Sequence, residues 1–163
     1  MKQFELQYFG KIDLESEDFY LLEDQEIDGH KLELDLTFEE ESFSSFKLKR
    51  LKKNLGMLPD LIRKSQAILG TDLKLGDTVS DYAEHHLENF DDQELINLFG
   101  KYRNEISVED FLERFKPVRV GFTPEDNDYY TIVDFSVNPE LTQYLVAVTL
   151  NKRGKFYDIS MES

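Results

Sequence analysis

Two runs of residues typical of β-strands flank the dipeptide Asp28-Gly29 and predict a hairpin. FYLLEDQEI occupies residues 19–27, and KLELDLTF occupies residues 31–38. Asp-Gly between such runs favours a two-residue type I′ hairpin turn, because both central residues of that turn need a positive φ. In the second run every other residue is apolar, from Leu32 to Phe38. This period of two predicts a half-buried antiparallel strand.

Further strand patterns lie on both sides of this hairpin. Phe4, Leu6 and Tyr8 alternate with polar residues near the N-terminus. The last third predicts an antiparallel meander of short strands around residues 118–122, 129–137, 144–150 and 156–161.

The residues between 43 and 117 have helical periodicity. Apolar residues recur every three to four positions from Phe43 to Leu55 and again from Val79 to Phe90. Asp91 and Ser107 are predicted to begin short helices, with Ser107 in a capping box, and Gly100 to cap one at its end. Gly70 is predicted to stop a helix that starts at Pro59.

Strands, then helices, then strands predict an α+β fold in which helices pack on one face of an antiparallel sheet. No repeat, linker or low-complexity tract interrupts the chain, so residues 1–163 are expected to form a single domain.

Composition excludes several functional classes. The chain has no cysteine, so it has no disulfide, no thiolate nucleophile and no cysteine zinc site. It contains no run of 18 uncharged apolar residues and no apolar run typical of a signal peptide near Met1. A cytoplasmic protein without membrane association is expected. No Gly-rich phosphate loop, dinucleotide motif or nucleophile elbow occurs, so no cofactor is expected.

The net charge of −15 is unevenly distributed. Residues 1–42 hold 14 acids and 3 bases, whereas residues 43–75 hold 2 acids and 8 bases. Five bases lie in one basic block, Lys47 to Lys53. We expect this block to be a solvated helix face opposite acidic neighbours, with phosphate binding as the alternative. The overall charge argues against nucleic acid as a partner and favours a basic protein.

Candidates for catalysis are few. His85 and Asp81 are four residues apart on a predicted helix and could form half of a metal site, but two ligands do not make a closed site, so no metal is expected. His86 falls on the apolar stripe and is expected to be packed, with His85 solvated. Asp134 lies between Val133 and Phe135. A buried Asp there would suggest a functional carboxylate, but the alternation assigns Asp134 to the opposite, solvent-exposed face.

Several stretches resemble a family of uncharacterised bacterial proteins catalogued as domain of unknown function two-thousand-four. They are Tyr8–Asp13, His85–Glu88, Phe111–Phe115, Val118–Phe122, Val133–Phe135, Glu140–Gln143 and Glu162–Ser163. The resemblance implies a small, acidic, stand-alone cytoplasmic protein with no assigned activity. Related acidic α+β families include immunity proteins that neutralise bacterial toxins.

Three functional hypotheses follow, and one of them is a phosphate- or nucleic-acid-contacting protein that uses the basic block from Lys47 to Lys53. The other two belong to different classes. The first is a non-enzymatic interaction module, with one candidate role as an immunity protein against a basic toxin such as a nuclease. The alternative is a hydrolase that uses carboxylates and histidine, or is assisted by a metal, with His85, Asp81 and Asp134 as candidates. An interface would combine acids with exposed Tyr or Phe, whereas an enzyme would need a pocket around these three residues.

Overall fold

A computed structural model describes residues 1–163 and contains eight strands and five α-helices. The strands are β1 (Gln3–Leu6), β2 (Gly10–Asp13), β3 (Phe19–Ile27), β4 (His30–Thr37), β5 (Lys116–Phe122), β6 (Thr131–Ser136), β7 (Leu145–Leu150) and β8 (Phe156–Glu162). The helices are α1 (Ser45–Gly56), α2 (Leu58–Leu75), α3 (Thr78–Asn89), α4 (Asp92–Phe99) and α5 (Val108–Arg114).

The predicted α+β fold is confirmed. β1 and β2 form a small hairpin sheet, and β3 to β8 form a six-stranded sheet in sequence order. All neighbours pair antiparallel except β4 and β5, which are parallel. A parallel pair needs a long crossover connection, and the five helices between β4 and β5 provide it. The sequence did not reveal this parallel pair, because strand periodicity carries no information on pairing direction.

The Asp28-Gly29 hairpin forms as predicted. Asp28 has φ 52° and Gly29 has φ 80°, so both turn residues are in the left-handed region. The register of β3 and β4 shifts between Leu22 and Gln25, where Asp24 also has a positive φ. This β-bulge leaves β3 as an irregular outer edge of the sheet.

The helix caps also match the sequence, with one exception. Asp91 and Ser107 each form a reciprocal capping box, and Gly100 caps α4 with φ 68°. The predicted stop at Gly70 is wrong, because α2 continues to Leu75. Asp72 is buried beyond Gly70 and its carboxylate accepts a hydrogen bond of 2.7 Å from the Val79 amide at the start of α3. This tertiary contact outweighs the small helix preference lost at one glycine.

The sheet has one covered face and one open face. Leu34, Val120, Val133 and Val148 are on the covered face, in one buried cluster with helix residues such as Leu55 and Tyr82. Their neighbours along each strand point the other way. We call that other side the open face. Its residues are Phe19, Leu21 and Glu26 of β3, Lys31, Glu33, Asp35 and Thr37 of β4, Lys116, Arg119 and Gly121 of β5, Ile132, Asp134 and Ser136 of β6, Leu145, Ala147 and Thr149 of β7, and Asp158, Ser160 and Glu162 of β8.

The N-terminal hairpin extends the core on the covered side. Phe4 of β1 packs on Phe38 and Phe43, with ring centroids 5.9 and 5.8 Å apart. None of the helices has both the length and the apolar character needed to cross a membrane.

Candidate functional site

The three catalytic candidates do not form a common site. Asp81 is exposed on α3, and His85 lies one turn further along the same helix. Asp134 is on β6, on the open face. No group of three or more His, Asp or Glu side chains has the spacing needed to hold a metal ion.

The predicted exposure of Asp134 is wrong, although its predicted face is correct. Asp134 points away from the helices, as the alternation indicates, but is only 6% exposed. The reason is that Arg119, on the neighbouring strand, covers it. Nη1 of Arg119 donates a hydrogen bond of 2.9 Å to Asp134 Oδ2.

Arg119 joins two carboxylates at the centre of the open face. Its Nη2 donates to Asp35 Oδ1 at 3.0 Å, and its Nε donates to Asp35 Oδ2. The contact with Asp35 is therefore bidentate, and the contact with Asp134 is single. We call these three residues the carboxylate–arginine cluster. A planar guanidinium is suited to this geometry because its donors form a rigid fork.

Gly121 makes this cluster possible. Arg119 is the strand partner of Glu33, so its side chain must lie along the sheet to reach Asp35, which is opposite Gly121. A Cβ atom at position 121 would be 2.5 Å from Arg119 Nη2 and 2.8 Å from Asp35 Oδ1. Only glycine leaves room for the ion pair here.

The cluster is electrostatically unbalanced, with two carboxylates and one guanidinium. Burial raises the pKa of Asp134 above its ordinary value of 3.8, and the adjacent Asp35 carboxylate adds to this effect. The hydrogen bond from Arg119 opposes it but does not cancel it. When both carboxylates are ionised, their two negative charges outnumber the single guanidinium charge in the middle of the open face.

Exposed apolar side chains lie beside this charge. Phe19 is 49% exposed and Leu21 is 45% exposed, and both are on β3 at the edge of the open face. Leu21 is directly opposite Asp35. The face as a whole holds six acids and three bases: Glu26, Glu33, Asp35, Asp134, Asp158 and Glu162 against Lys31, Lys116 and Arg119. It thus combines apolar contact area with negative charge.

His86 is packed, as predicted, and its hydrogen-bonding capacity is fully used. Nδ1 is 2.7 Å from the Tyr82 carbonyl, which can only accept, so Nδ1 carries the proton. Nε2 then accepts from the Thr142 hydroxyl at 2.8 Å. Burial lowers the pKa of His86 below 6.5, which favours this neutral form.

The predicted solvation of His85 is only partly correct. The residue is half-buried, and the centroid of its ring lies 4.3 Å from the centroid of the Tyr144 ring. His85, His86 and Thr142 border a concavity of about 340 Å³. Thr142 was not among the sequence candidates, because no local motif connects it with a histidine 56 residues away.

The basic block is partly solvated, with Lys49, Lys52 and Lys53 exposed and Lys47 and Arg50 half-buried, but it forms no ion pair with acidic neighbours. None of its five bases is in an ion pair. Lys49, Arg50 and Lys53 instead border a pocket of about 660 Å³ between α1, α2 and the β7–β8 loop.

Sequence reasoning missed Arg119 and Asp35 as partners of Asp134. A signal was present, because all three are charged residues inside apolar strand patterns and have the phase of the open face. What the sequence lacked was the strand order that brings β4, β5 and β6 side by side.

Comparison of the chain with family models, with curated proteins and with solved structures finds no match. The resemblance to the family of small acidic bacterial proteins therefore stays a prediction. The open face and the two concavities have to be interpreted from their own chemistry.

Proposed function

We propose that the protein is a cytoplasmic, non-enzymatic interaction module whose open face binds a basic protein. The observation that carries this proposal is the position of half-exposed Phe19 and Leu21 beside the buried, negatively charged cluster of Asp35, Arg119 and Asp134. Large apolar side chains at a surface supply the contact area of an interface, and adjacent charge supplies its specificity.

The charge of the face defines the partner. An excess of six acids over three bases attracts a cationic surface, and the net charge of −15 extends that attraction over a longer range. Such steering raises the rate of association and weakens as salt is added. Arg119 holds the central carboxylates in fixed positions, so that less entropy is lost on binding.

Binding of a protein explains this face better than binding of a small molecule. Neither the concavity at His85 nor the pocket at the basic block includes a residue of the open face. The face spans six strands, and a surface of this kind is suited to a macromolecular partner.

A bacterial immunity function is the specific form of this proposal. An immunity protein neutralises a toxin by binding it, and a nuclease toxin is basic where it contacts nucleic acid. Support comes from the acidic face and from the family resemblance in residues such as Val118–Phe122 and Val133–Phe135. Nucleic acid itself would be repelled by the same charge.

A hydrolase is the second candidate, and the Thr142–His86 hydrogen bond favours it. A hydroxyl 2.8 Å from a neutral imidazole has the geometry of an activated nucleophile, and the pair borders the 340 Å³ concavity. However, the Thr142 hydroxyl also accepts a hydrogen bond of 3.1 Å from the backbone amide of Tyr144, which indicates a structural role in the turn. Esterase assays of wild type and Thr142→Val decide this point: activity that Thr142→Val abolishes would establish the hydrolase.

The interaction is tested by affinity capture from the producing cell with wild type, Leu21→Ser and Leu75→Ser. Leu75 is 85% exposed at the end of α2, so Leu75→Ser is a matched control away from the open face. We expect wild type and Leu75→Ser to retain a basic protein at about 0.05 M salt and to release it at about 0.5 M. Leu21→Ser should lose it. Equal retention by Leu21→Ser, or retention that salt does not change, would contradict the proposal.

A further inference from the structure

A pocket lies away from the open face, between α1, α2 and the β7–β8 loop. We call it the basic pocket. Its volume of about 660 Å³ is in the range of sites for nucleotide-sized ligands. Six bases and one acid line it, together with a few apolar residues: Lys49, Arg50, Lys53, Lys64, Lys152 and Arg153, then Asp60, and Phe46, Met57 and Leu61.

Hydrogen bonds fix the walls of the basic pocket relative to one another. The buried Asn54 side chain on α1 donates to the Arg50 carbonyl at 3.0 Å and to the Lys152 carbonyl at 3.4 Å. Lys64 of α2 donates to the Gly154 carbonyl. The loop is therefore tied to both helices.

The loop is also held from within. Oδ1 of Asn151 accepts hydrogen bonds from the backbone amides of Arg153 and Lys155 at 2.9 and 3.1 Å. Gly154 has a φ of 74°, which allows the turn. The backbone that carries Lys152 and Arg153 is thus preorganised.

The charge of the basic pocket is not neutralised by the protein. Six of the protein's bases form its eight ion pairs, and none of the six belongs to the pocket. The one acid of the pocket, Asp60, forms an ion pair outside it: its Oδ1 lies 3.1 Å from Nη1 of Arg63, which also pairs with Asp28. The chain has 34 acids, yet none of them pairs with the six bases of the pocket. These bases repel one another, and the repulsion lowers the stability of the folded protein. An anionic ligand would remove that repulsion.

We propose that the basic pocket binds a small phosphorylated anion, with a di- or triphosphate as the bound group. Several phosphate oxygens can contact bases from α1, α2 and the loop at once, which a single carboxylate cannot do. The pocket suits a compact anion, whereas an extended polyanion would meet the repulsion of the net −15 charge.

Phe46 suits a planar group attached to that phosphate. Its ring is 69% exposed at the rim of the basic pocket, and the Arg50 guanidinium lies 5.2 Å from the ring centroid. An exposed aromatic ring beside a phosphate site can stack on a base. This inference is independent of the proposed function, since it concerns a different surface and a different ligand.

Titration calorimetry with inorganic tripolyphosphate and with ATP tests the proposal. We expect saturable binding of at least one probe, and a loss of about 10-fold or more in affinity for the double variant Lys53→Gln, Arg153→Gln. Both residues are exposed, so the variant should fold. Lys52→Gln is the matched control, because Lys52 is exposed on the same helix but does not line the basic pocket.

The source of the phosphate is distinguished by Phe46→Ala. If Phe46→Ala lowers the affinity for ATP but not for tripolyphosphate, the ligand is a nucleotide. If Phe46→Ala changes neither affinity, the ligand is an inorganic polyphosphate. Each result supports a phosphate site. The proposal is overturned if neither probe binds saturably, if Lys52→Gln weakens binding as much as the double variant, or if single-stranded DNA binds more tightly than both probes.

Discussion

Arg119 on β5 holds Asp35 on β4 through two hydrogen bonds, across the one parallel strand pair of the sheet. Asp35 is 5% exposed, and Arg119 also donates to Asp134. The pair fixes the charge of the open face and connects the strands on either side of the helical crossover. Stability measurements on this pair therefore test the geometry on which the proposed interface depends.

The two carboxylates are expected to respond differently to the same substitution. Asp35→Asn removes the bidentate partner of Arg119 and should lower the free energy of unfolding by about 2 kcal/mol. Asp134→Asn keeps an oxygen that can accept from Arg119 and removes one of two neighbouring negative charges. It should change stability by less than about 1 kcal/mol. Urea unfolding at pH 7 measures both, and an equal cost for the two variants would show that the guanidinium is shared evenly.

The raised pKa of Asp134 predicts a specific pH dependence. Because the folded state binds the proton more tightly than the unfolded state, the stability contributed by protonated Asp134 is complete below the ordinary pKa of 3.8. It is lost as the pH rises through the raised pKa of the folded state. The stability of wild type relative to Asp134→Asn should therefore fall as the pH rises above about 4. Parallel stability curves for the two proteins would contradict the raised pKa.

Two glycine-to-alanine substitutions should change the free energy of unfolding in opposite directions. Gly121→Ala places a Cβ against Arg119 and Asp35, so the pair must separate, at a cost of about 1–3 kcal/mol. Gly70→Ala is in the interior of α2 with no atom within 4 Å of the added Cβ, and should stabilise by about 0.5–1 kcal/mol. Thermal unfolding compares them directly. A neutral Gly121→Ala would mean that the ion pair tolerates displacement.

His86 predicts a loss of stability in mild acid. Burial lowers its pKa in the folded state, so the stability it contributes is present above the unfolded pKa of 6.5 and is lost as the pH falls through the lowered value. The slope is at most about 1.4 kcal/mol per pH unit. The free energy of unfolding of wild type should fall more steeply below pH 6.5 than that of His86→Gln. His30→Gln serves as the control, and identical slopes in wild type and His86→Gln would exclude His86 as the responsible group.

The sequence predicted most of the fold and little of the site, for a physical reason. Elements such as the Asp28-Gly29 turn and the caps at Asp91 and Ser107 depend on neighbouring residues, so local patterns reveal them. The burial of Asp134 depends on Arg119, which is 15 residues away in the sequence. Arg119 in turn is held by Asp35, which is 84 residues away from it. The basic pocket likewise requires the β7–β8 loop to meet α1, which no local pattern encodes.

The same distinction explains the error at Gly70. Glycine weakens a helix locally, but Asp72 and Leu73 make contacts beyond it that depend on α3 and the core. Local preference set the expectation, and tertiary packing decided the outcome.

Hydroxyl-radical footprinting of the complex with the captured partner shows whether the partner binds the open face. Phe19 and Leu21 are half-exposed in the free protein, as are reference residues away from the open face such as Met57, whereas Phe46 and Leu75 are more exposed still. Binding at the open face should protect Phe19 and Leu21 from oxidation and leave Phe46, Met57 and Leu75 as reactive as in the free protein. Protection of the reference residues with unchanged oxidation at Phe19 and Leu21 would mean that the partner binds elsewhere and would exclude the open face as the interface.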